Sequence, residues 1–241
     1  MSLVIVAHGT RDPAGALVAA RLTDAVRAKL PGVRVELAFA DVRGPTVADV
    51  LTNLAGPVVV LPAFLAAGYH VRVDLPAQLA EFPDAMLTAP LGPARAMVAA
   101  MHDRLVEAGF RTGDRIVLAA AGSSDPLALA DVRRAALRLS ARLDTEVHIG
   151  YCATAVPALP QAIARLRGGR VAVASWLLAP GLFHRAAANA GADLVADPIG
   201  VHPLVVDLII ARYRARCAAP RTGSRPLSVR FPSTVRFPST G

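Results

Sequence analysis

The chain has 241 residues, of which 54% are hydrophobic and 18% are charged, enough apolar material for one large domain or two of ordinary size. Its formal charge of +8 is concentrated at one end, because seven of the 26 basic residues lie from Arg212 onward, where Asp and Glu are absent. The preceding part holds 19 basic and 18 acidic residues and is nearly neutral, which argues against a nucleic-acid-binding protein.

Cysteine usage and hydropathy argue against further classes. The two cysteines are too few for a disulfide framework, and without a CxxC pair a zinc knuckle or an iron–sulfur cluster is not expected. The N-terminal apolar run is too short for a signal peptide, and Pro and Gly interrupt the uncharged stretch at 50–71 that would otherwise resemble a membrane span. We therefore expect a cytoplasmic protein with no membrane partner.

In the first half, short apolar runs alternate with longer segments of helical period. The apolar runs lack the polar alternation of a half-exposed sheet and each precedes a helical segment, so the pattern predicts a parallel sheet buried on both faces. The predicted strands are residues 3–7, 33–39, 57–61 and 85–89. The predicted helices cover 14–30, a short segment after Pro45, a segment starting near His70, and 93–108.

The same pattern then repeats. The stretch RIVLAAAGSSDP at 115–126 has the shape of LVIVAHGTRDP at 3–13, and a helix at 127–143 and strands at 146–152 and 170–176 follow. Pro13, Pro45 and Gly68 recur at offsets of 112 or 113 residues, which indicates a duplicated domain. We predict two tandem doubly wound parallel-sheet α/β domains, at 1–112 and 113–219. The repeated VRFPST predicts a disordered basic tail at 220–241.

Polar side chains follow the predicted strands of the first half. The first strand ends at His8, Asp41 lies two residues after the second strand, and the third leads through PAFLAAGYH to His70. Ligands of open parallel sheets bind beyond the carboxyl ends of the strands. Two imidazoles and a carboxylate there suit a divalent metal and also proton transfer. Each residue alone is equally well explained as a strand end or a cap, but their shared edge favours a site.

Residues near these three are further candidates. Asp74 lies four residues after His70 on the same helix face, where it either orients that imidazole or is simply solvated. Thr10 and Arg11 precede an Asp-Pro helix start, and Arg11 is also a candidate contact for an anionic substrate.

The second half has lost most of these groups. In the second half, Ala121 occupies the position equivalent to His8 and Ala153 the position equivalent to Asp41. His184 in APGLFHRAA is equivalent to His70 if the loop holds one extra residue. We therefore predict one active half, with His184 on the opposite wall of a cleft.

The runs VAHGTRDP, FADVRGPTV and LPAFLAAGYHVRVDLP, within about residues 1–215, resemble the sirohydrochlorin chelatase family of class II tetrapyrrole chelatases. The resemblance implies a lyase that inserts Fe²⁺ or Co²⁺ into sirohydrochlorin without ATP or an organic cofactor, in siroheme or cobalamin biosynthesis. It implies two domains of chelatase fold facing each other across a cleft.

The resemblance also implies roles for particular residues. His8 and His70 would handle the metal and the pyrrole protons, and Asp41 stands where relatives usually carry a glutamate. Thr10, Arg11 and Arg72 would then bind the carboxylate-rich substrate. Internal duplication is compatible with a monomer, and the expected partners are the small-molecule tetrapyrrole and the divalent metal, with no nucleic acid.

Other functions fit less well. A histidine phosphatase needs an arginine before its histidine, where this chain has Ala7, and no strand is followed by a GxGxxG or GxxxxGK[ST] loop for a nucleotide. A tetrapyrrole or metal carrier that uses the same two histidines without turnover stays open.

Overall fold

The computed structural model describes residues 1–166 and 168–219, so the predicted tail lies outside the described residues. Two four-stranded parallel sheets confirm the predicted tandem doubly wound α/β architecture. The first sheet has the order β2-β1-β3-β4, with β1 Ser2–Ala7, β2 Val35–Phe39, β3 Val58–Pro62 and β4 Ala85–Leu87. The second has the order β6-β5-β7-β8, with β5 Arg115–Ala120, β6 Val147–Tyr151, β7 Val171–Trp176 and β8 Leu194–Val195.

Eight α-helices cover the faces of the two sheets in the described part of the chain. They are α1 Pro13–Lys29, α2 Val47–Thr52, α3 Leu75–Leu79, α4 Arg95–Glu107, α5 Pro126–Leu143, α6 Leu159–Ala164, α7 Leu182–Ala188 and α8 Pro203–Ala218. A π-helical turn, His70–Asp74, leads directly into α3. The predicted helix near His70 therefore begins as this wider turn. None of the described helices is both long and apolar enough to traverse a membrane.

The two halves share one central core. Buried side chains of both sheets, among them Ile5 and Leu118, belong to the same apolar cluster, and smaller clusters lie under the outer helices of each half. The last helices are exchanged: α4 packs on β7 of the second sheet, and α8 packs on α1 and β3 of the first. The division at residue 112 stays a prediction, but each sheet is covered partly by a helix of the other half.

Polar contacts hold α8 on the first sheet. Arg212 donates to the carbonyl oxygen of Ala89 at 2.7 Å, and the Tyr213 hydroxyl donates to that of Met1 at 2.8 Å. The sequence interpretation did not include α8, whose apolar residues face several neighbours at once.

Candidate active site

The end of β1 places His8 beside the end of β2. The amide of Ala40 donates to Ala7 and that of Asp41 donates to His8, so the strand ladder continues past both strands. Gly9 allows this approach, because its φ is +99° and a Cβ there would lie 1.9 Å from the carbonyl oxygen of Asp41. Asp41 itself is exposed, and its Oδ1 accepts a hydrogen bond from the amide of Val42 at 2.7 Å.

The π-helical turn positions His70 and Asp74 on one face. The Nδ1 of His70 lies 2.6 Å from Oδ2 of Asp74. Since a carboxylate accepts the Nδ1 proton, the neutral ring presents Nε2 as its free lone pair. Asp74 therefore lies on the same face as His70, as its spacing predicts, and the two side chains form a direct hydrogen bond.

The two imidazoles lie next to each other. Their ring centroids are 4.9 Å apart, and His8 also contacts Phe64 in a T-shaped arrangement, at a centroid distance of 5.6 Å. Metal–imidazole bonds are about 2.1 Å long, so the separation of the two rings is compatible with one ion bound between them. No three His, Cys, Asp or Glu side chains gather as a metal-binding group within residues 1–166 and 168–219. A metal ion bound by these two imidazoles alone would keep further coordination positions open.

The surroundings of His8 favour its neutral form. Desolvation lowers the pKa of His8, and the positive charge that His70 can carry lowers it further, while the carboxylate of Asp41 raises it. Asp41 is therefore close enough to act on the His8 imidazole electrostatically.

A cleft of about 590 Å³ separates the two halves beside this pair, and both halves line it. His8, His70 and Thr10 come from the first half, whereas Ser123, Asp125 and Trp176 come from the second. Most of the remaining wall is apolar or glycine. Trp176 is buried, and among the described residues its Nε1 is a buried side-chain nitrogen without a hydrogen-bond partner.

The other predicted site residues occupy the cleft rim or lie outside it. Thr10 lines the cleft, and its hydroxyl accepts a hydrogen bond from the amide of Asp12 at 3.0 Å. Arg11 is exposed and does not line the cleft, and neither does Asp41. Arg72 donates to the carbonyl oxygen of Ala67 at 2.8 Å and forms an ion pair with Asp125 of the second half.

The duplicated half corrects one sequence equivalence. The amide of Arg72 donates to Gly68 and that of Arg185 donates to Gly181, so the two loops have equal length. The residue equivalent to His70 is Phe183, which lines the cleft, and not His184, which is absent from the lining. The assumed extra loop residue was wrong, because the histidine is shifted by one position along α7.

Sequence reasoning named Arg72 as a substrate-binding residue but missed that it is one of four charged residues that join the halves in pairs. Asp12 and Asp125 both cap a first helix, and Arg72 and Arg185 both follow a third strand, each pair at an offset of 113 residues. Extending the repeat from Pro13 and Gly68 to charged residues would have identified all four.

The sequence of both halves matches one protein family. The CbiX family model covers residues 2–108 and 115–216, so the chain belongs to the CbiX family. A sirohydrochlorin cobaltochelatase of Methanopyrus kandleri is 31% identical over 88 residues, which are 35% of this chain and 62% of that curated relative.

Solved structures share the fold over nearly the whole chain. SirB from Bacillus subtilis with Fe³⁺ has a TM-score of 0.77 at 23% identity, covering 90% of this chain and 95% of that one. The sirohydrochlorin chelatase SirB from Bacillus subtilis subspecies spizizenii, in complex with cobalt, has a TM-score of 0.72 at 23% identity, covering 89% and 94%.

Proposed function

We propose that this protein is a chelatase that inserts Fe²⁺ or Co²⁺ into sirohydrochlorin, as a step of siroheme or cobalamin biosynthesis. The observation that carries the proposal is the His8–His70 pair, with ring centroids 4.9 Å apart, in the cleft between the halves. Membership of the CbiX family and the names of the relatives support the substrate class.

The reaction exchanges metal bonds for protons. The ion enters as M²⁺, the free macrocycle gives up two pyrrole protons, and the products are the metallated macrocycle and two protons. As the ion leaves an imidazole nitrogen for a pyrrole nitrogen, that imidazole regains a lone pair and can accept the pyrrole proton. Two imidazoles thus match both the two metal bonds that break and the two protons that must leave.

Each neighbouring carboxylate has a distinct role in this scheme. Asp74 fixes the ring of His70 through Nδ1, so that Nε2 is the atom that meets the metal and later the proton. Asp41 favours protonated His8 electrostatically, which opposes the effect of burial and stabilises the imidazolium formed during transfer.

The cleft is large enough for an organic ligand, and its wall suits an apolar ring system. Its volume of about 590 Å³ lies within the usual range for organic ligands, and its largely apolar wall matches the face of a tetrapyrrole. Phe64 from the first half and Phe183 from the second supply aromatic surface.

The test is anaerobic metallation of sirohydrochlorin, followed by its absorbance change, with Fe²⁺ and Co²⁺ in parallel. We expect a rate above the spontaneous one that is abolished in His8→Ala and in His70→Ala. His184→Ala is the matched control and should keep most of the activity, since His184 does not line the cleft. Binding of the tetrapyrrole without any acceleration would instead indicate a carrier.

A further inference from the structure

Two equivalent ion pairs connect the halves at the rim of the cleft. Arg72, in the π-helical turn of the first half, pairs with Asp125 at the start of α5. Arg185, in α7 of the second half, pairs with Asp12 at the start of α1, with Nη1 2.5 Å from Oδ2. Each pair therefore joins the helical segment that follows the third strand of one half to the first helix of the other half.

Each aspartate uses its two oxygens separately. The Oδ1 of Asp12 accepts the amide of Ala14 at 3.0 Å, and the Oδ1 of Asp125 accepts that of Leu127 at 2.9 Å, while both Oδ2 atoms face an arginine. The helix caps would thus persist if the arginines moved away. The arginines are also the more exposed partners, at 39% for Arg72 and 62% for Arg185.

The cleft needs positive charge for a carboxylate-rich ligand. The described residues that line the cleft include no Arg or Lys, but they do include the acidic Asp125. Gly68 and Tyr69 precede Arg72 and line the cleft, as do Gly181 and Phe183 before Arg185. The two rim arginines are therefore attached to the cleft wall itself, one on each half.

We propose that Arg72 and Arg185 each bind a carboxylate of the tetrapyrrole, and that Asp125 and Asp12 occupy these arginines until the substrate displaces them. Partly exposed ion pairs contribute little net free energy, so exchanging one carboxylate for another costs little. The planar guanidinium can bind the incoming carboxylate in a bidentate manner. This inference rests on the proposed function and adds to it the residues that recognise the substrate periphery.

The test compares the two sides of each pair. Asn caps a helix as well as Asp does, so Asp12→Asn and Asp125→Asn remove the competing charge and keep the cap. We expect each Asp→Asn variant to lower the Kd for metal-free sirohydrochlorin several-fold, and Arg72→Gln or Arg185→Gln to raise it about tenfold. Quenching of Trp176, the single tryptophan of the chain and part of the cleft wall, reports binding.

The sign of the effect decides the outcome. If the ion pairs only hold the halves together, Asp→Asn and Arg→Gln variants will change the Kd in the same direction, and the proposal is wrong. Arg34→Gln is the matched control, because Arg34 pairs with Glu36 near the amino end of the first sheet, and its Kd should equal that of the wild type.

Two further measurements keep the result interpretable. Melting temperatures of all variants show whether any has lost its fold. The wild-type metallation rate tests the proposed function separately. If the wild type metallates sirohydrochlorin but the Asp→Asn and Arg→Gln variants change the Kd in the same direction, only the role of the arginines is wrong. A wild type that does not bind the tetrapyrrole would overturn both proposals.

Discussion

Burial controls the protonation of His8. Desolvation and the neighbouring His70 lower its pKa below the ordinary value of about 6.5, against the opposing charge of Asp41. The unfolded chain therefore binds this proton more tightly, so the stability linked to His8 is lost as the pH falls through the pKa of the folded state. The lowered pKa favours the free-base ring at neutral pH, which is the form that the proposed metal binding needs.

Asp41→Asn should lower the pKa of His8 further, because the substitution removes the one nearby charge that raises it. An NMR titration of the histidine resonances in the metal-free protein measures this directly. Asp24→Asn, on the exposed side of α1, is the control and should leave the His8 titration unchanged. A higher pKa in Asp41→Asn would contradict the electrostatic role given to Asp41.

Asp74→Asn should slow metallation by about 10-fold to 100-fold, because the ring of His70 loses the carboxylate that fixes its tautomer and orientation. Steady-state rates with each metal measure the effect. The control is Asp103→Asn, since Asp103 lies 3.3 Å from Nδ1 of His102 outside the cleft lining. Equal losses in both variants would show that the carboxylate of Asp74 has no specific role.

The sequence predicted part of this site. His8 and His70 could be selected because parallel strands present their ends at one edge, and Asp74 because its spacing of four residues fixes the helix face. The constant offset of 113 residues assigns Phe183 as the equivalent of His70 in the second half, whereas matching by residue type selects the adjacent His184. The hydrogen bonds of the loop agree with the offset. The pairing of Arg72 with Asp125 depends on how the halves pack.

A strained turn follows the second strand of each half. Val42 has a φ of +71° and Thr154 one of +60°, and in both turns the next amide donates back across the turn. The turn also occurs in the second half, which has Ala121 and Phe183 in place of His8 and His70, so it belongs to the fold rather than to the chemistry. A β-branched residue is strained at such a φ.

Val42→Gly should raise the free energy of unfolding by about 1 kcal/mol, since the strain relieved exceeds the entropy cost of glycine. Val42 is about half exposed, so little packing is lost. Urea denaturation measures the change, with the same dependence of unfolding free energy on urea concentration fitted to wild type and variant. Thr154→Gly should also raise the free energy of unfolding. A less stable Val42→Gly variant would show that the side chain contributes more than its backbone costs.

Elements differed in how readily the sequence revealed them. The long strands were predictable because both faces are buried, which leaves unbroken apolar runs such as those of β1 and β5. The two-residue β8 is too short to produce a recognisable hydrophobic pattern in the sequence. The segment of α8 contacts α1, α4 and β3, so its apolar residues are not confined to one helical face.

The exchange of α4 and α8 predicts that the two sheets fold as one unit, because each sheet packs on a helix of the other half. Val205, Ile209 and Tyr213 of α8 are buried in the central cluster together with Leu3 and Ile5 of β1. Burying a large apolar side chain contributes about 1.5–3 kcal/mol, whereas whole domains have net stabilities of about 5–15 kcal/mol. Losing the exchanged helix would therefore remove a large share of the stability of the first sheet.

Residues 1–112 expressed alone should lack a cooperative thermal transition, because their sheet loses α8 and their α4 loses the second sheet. Mixing this fragment with residues 113–219 should restore a single transition, since each fragment carries the helix that the other needs. Circular dichroism during heating measures both states, and the intact chain is the reference. A cooperative transition in the 1–112 fragment alone would show that the predicted domain boundary is also a folding boundary, and that the exchanged helices connect two independent domains.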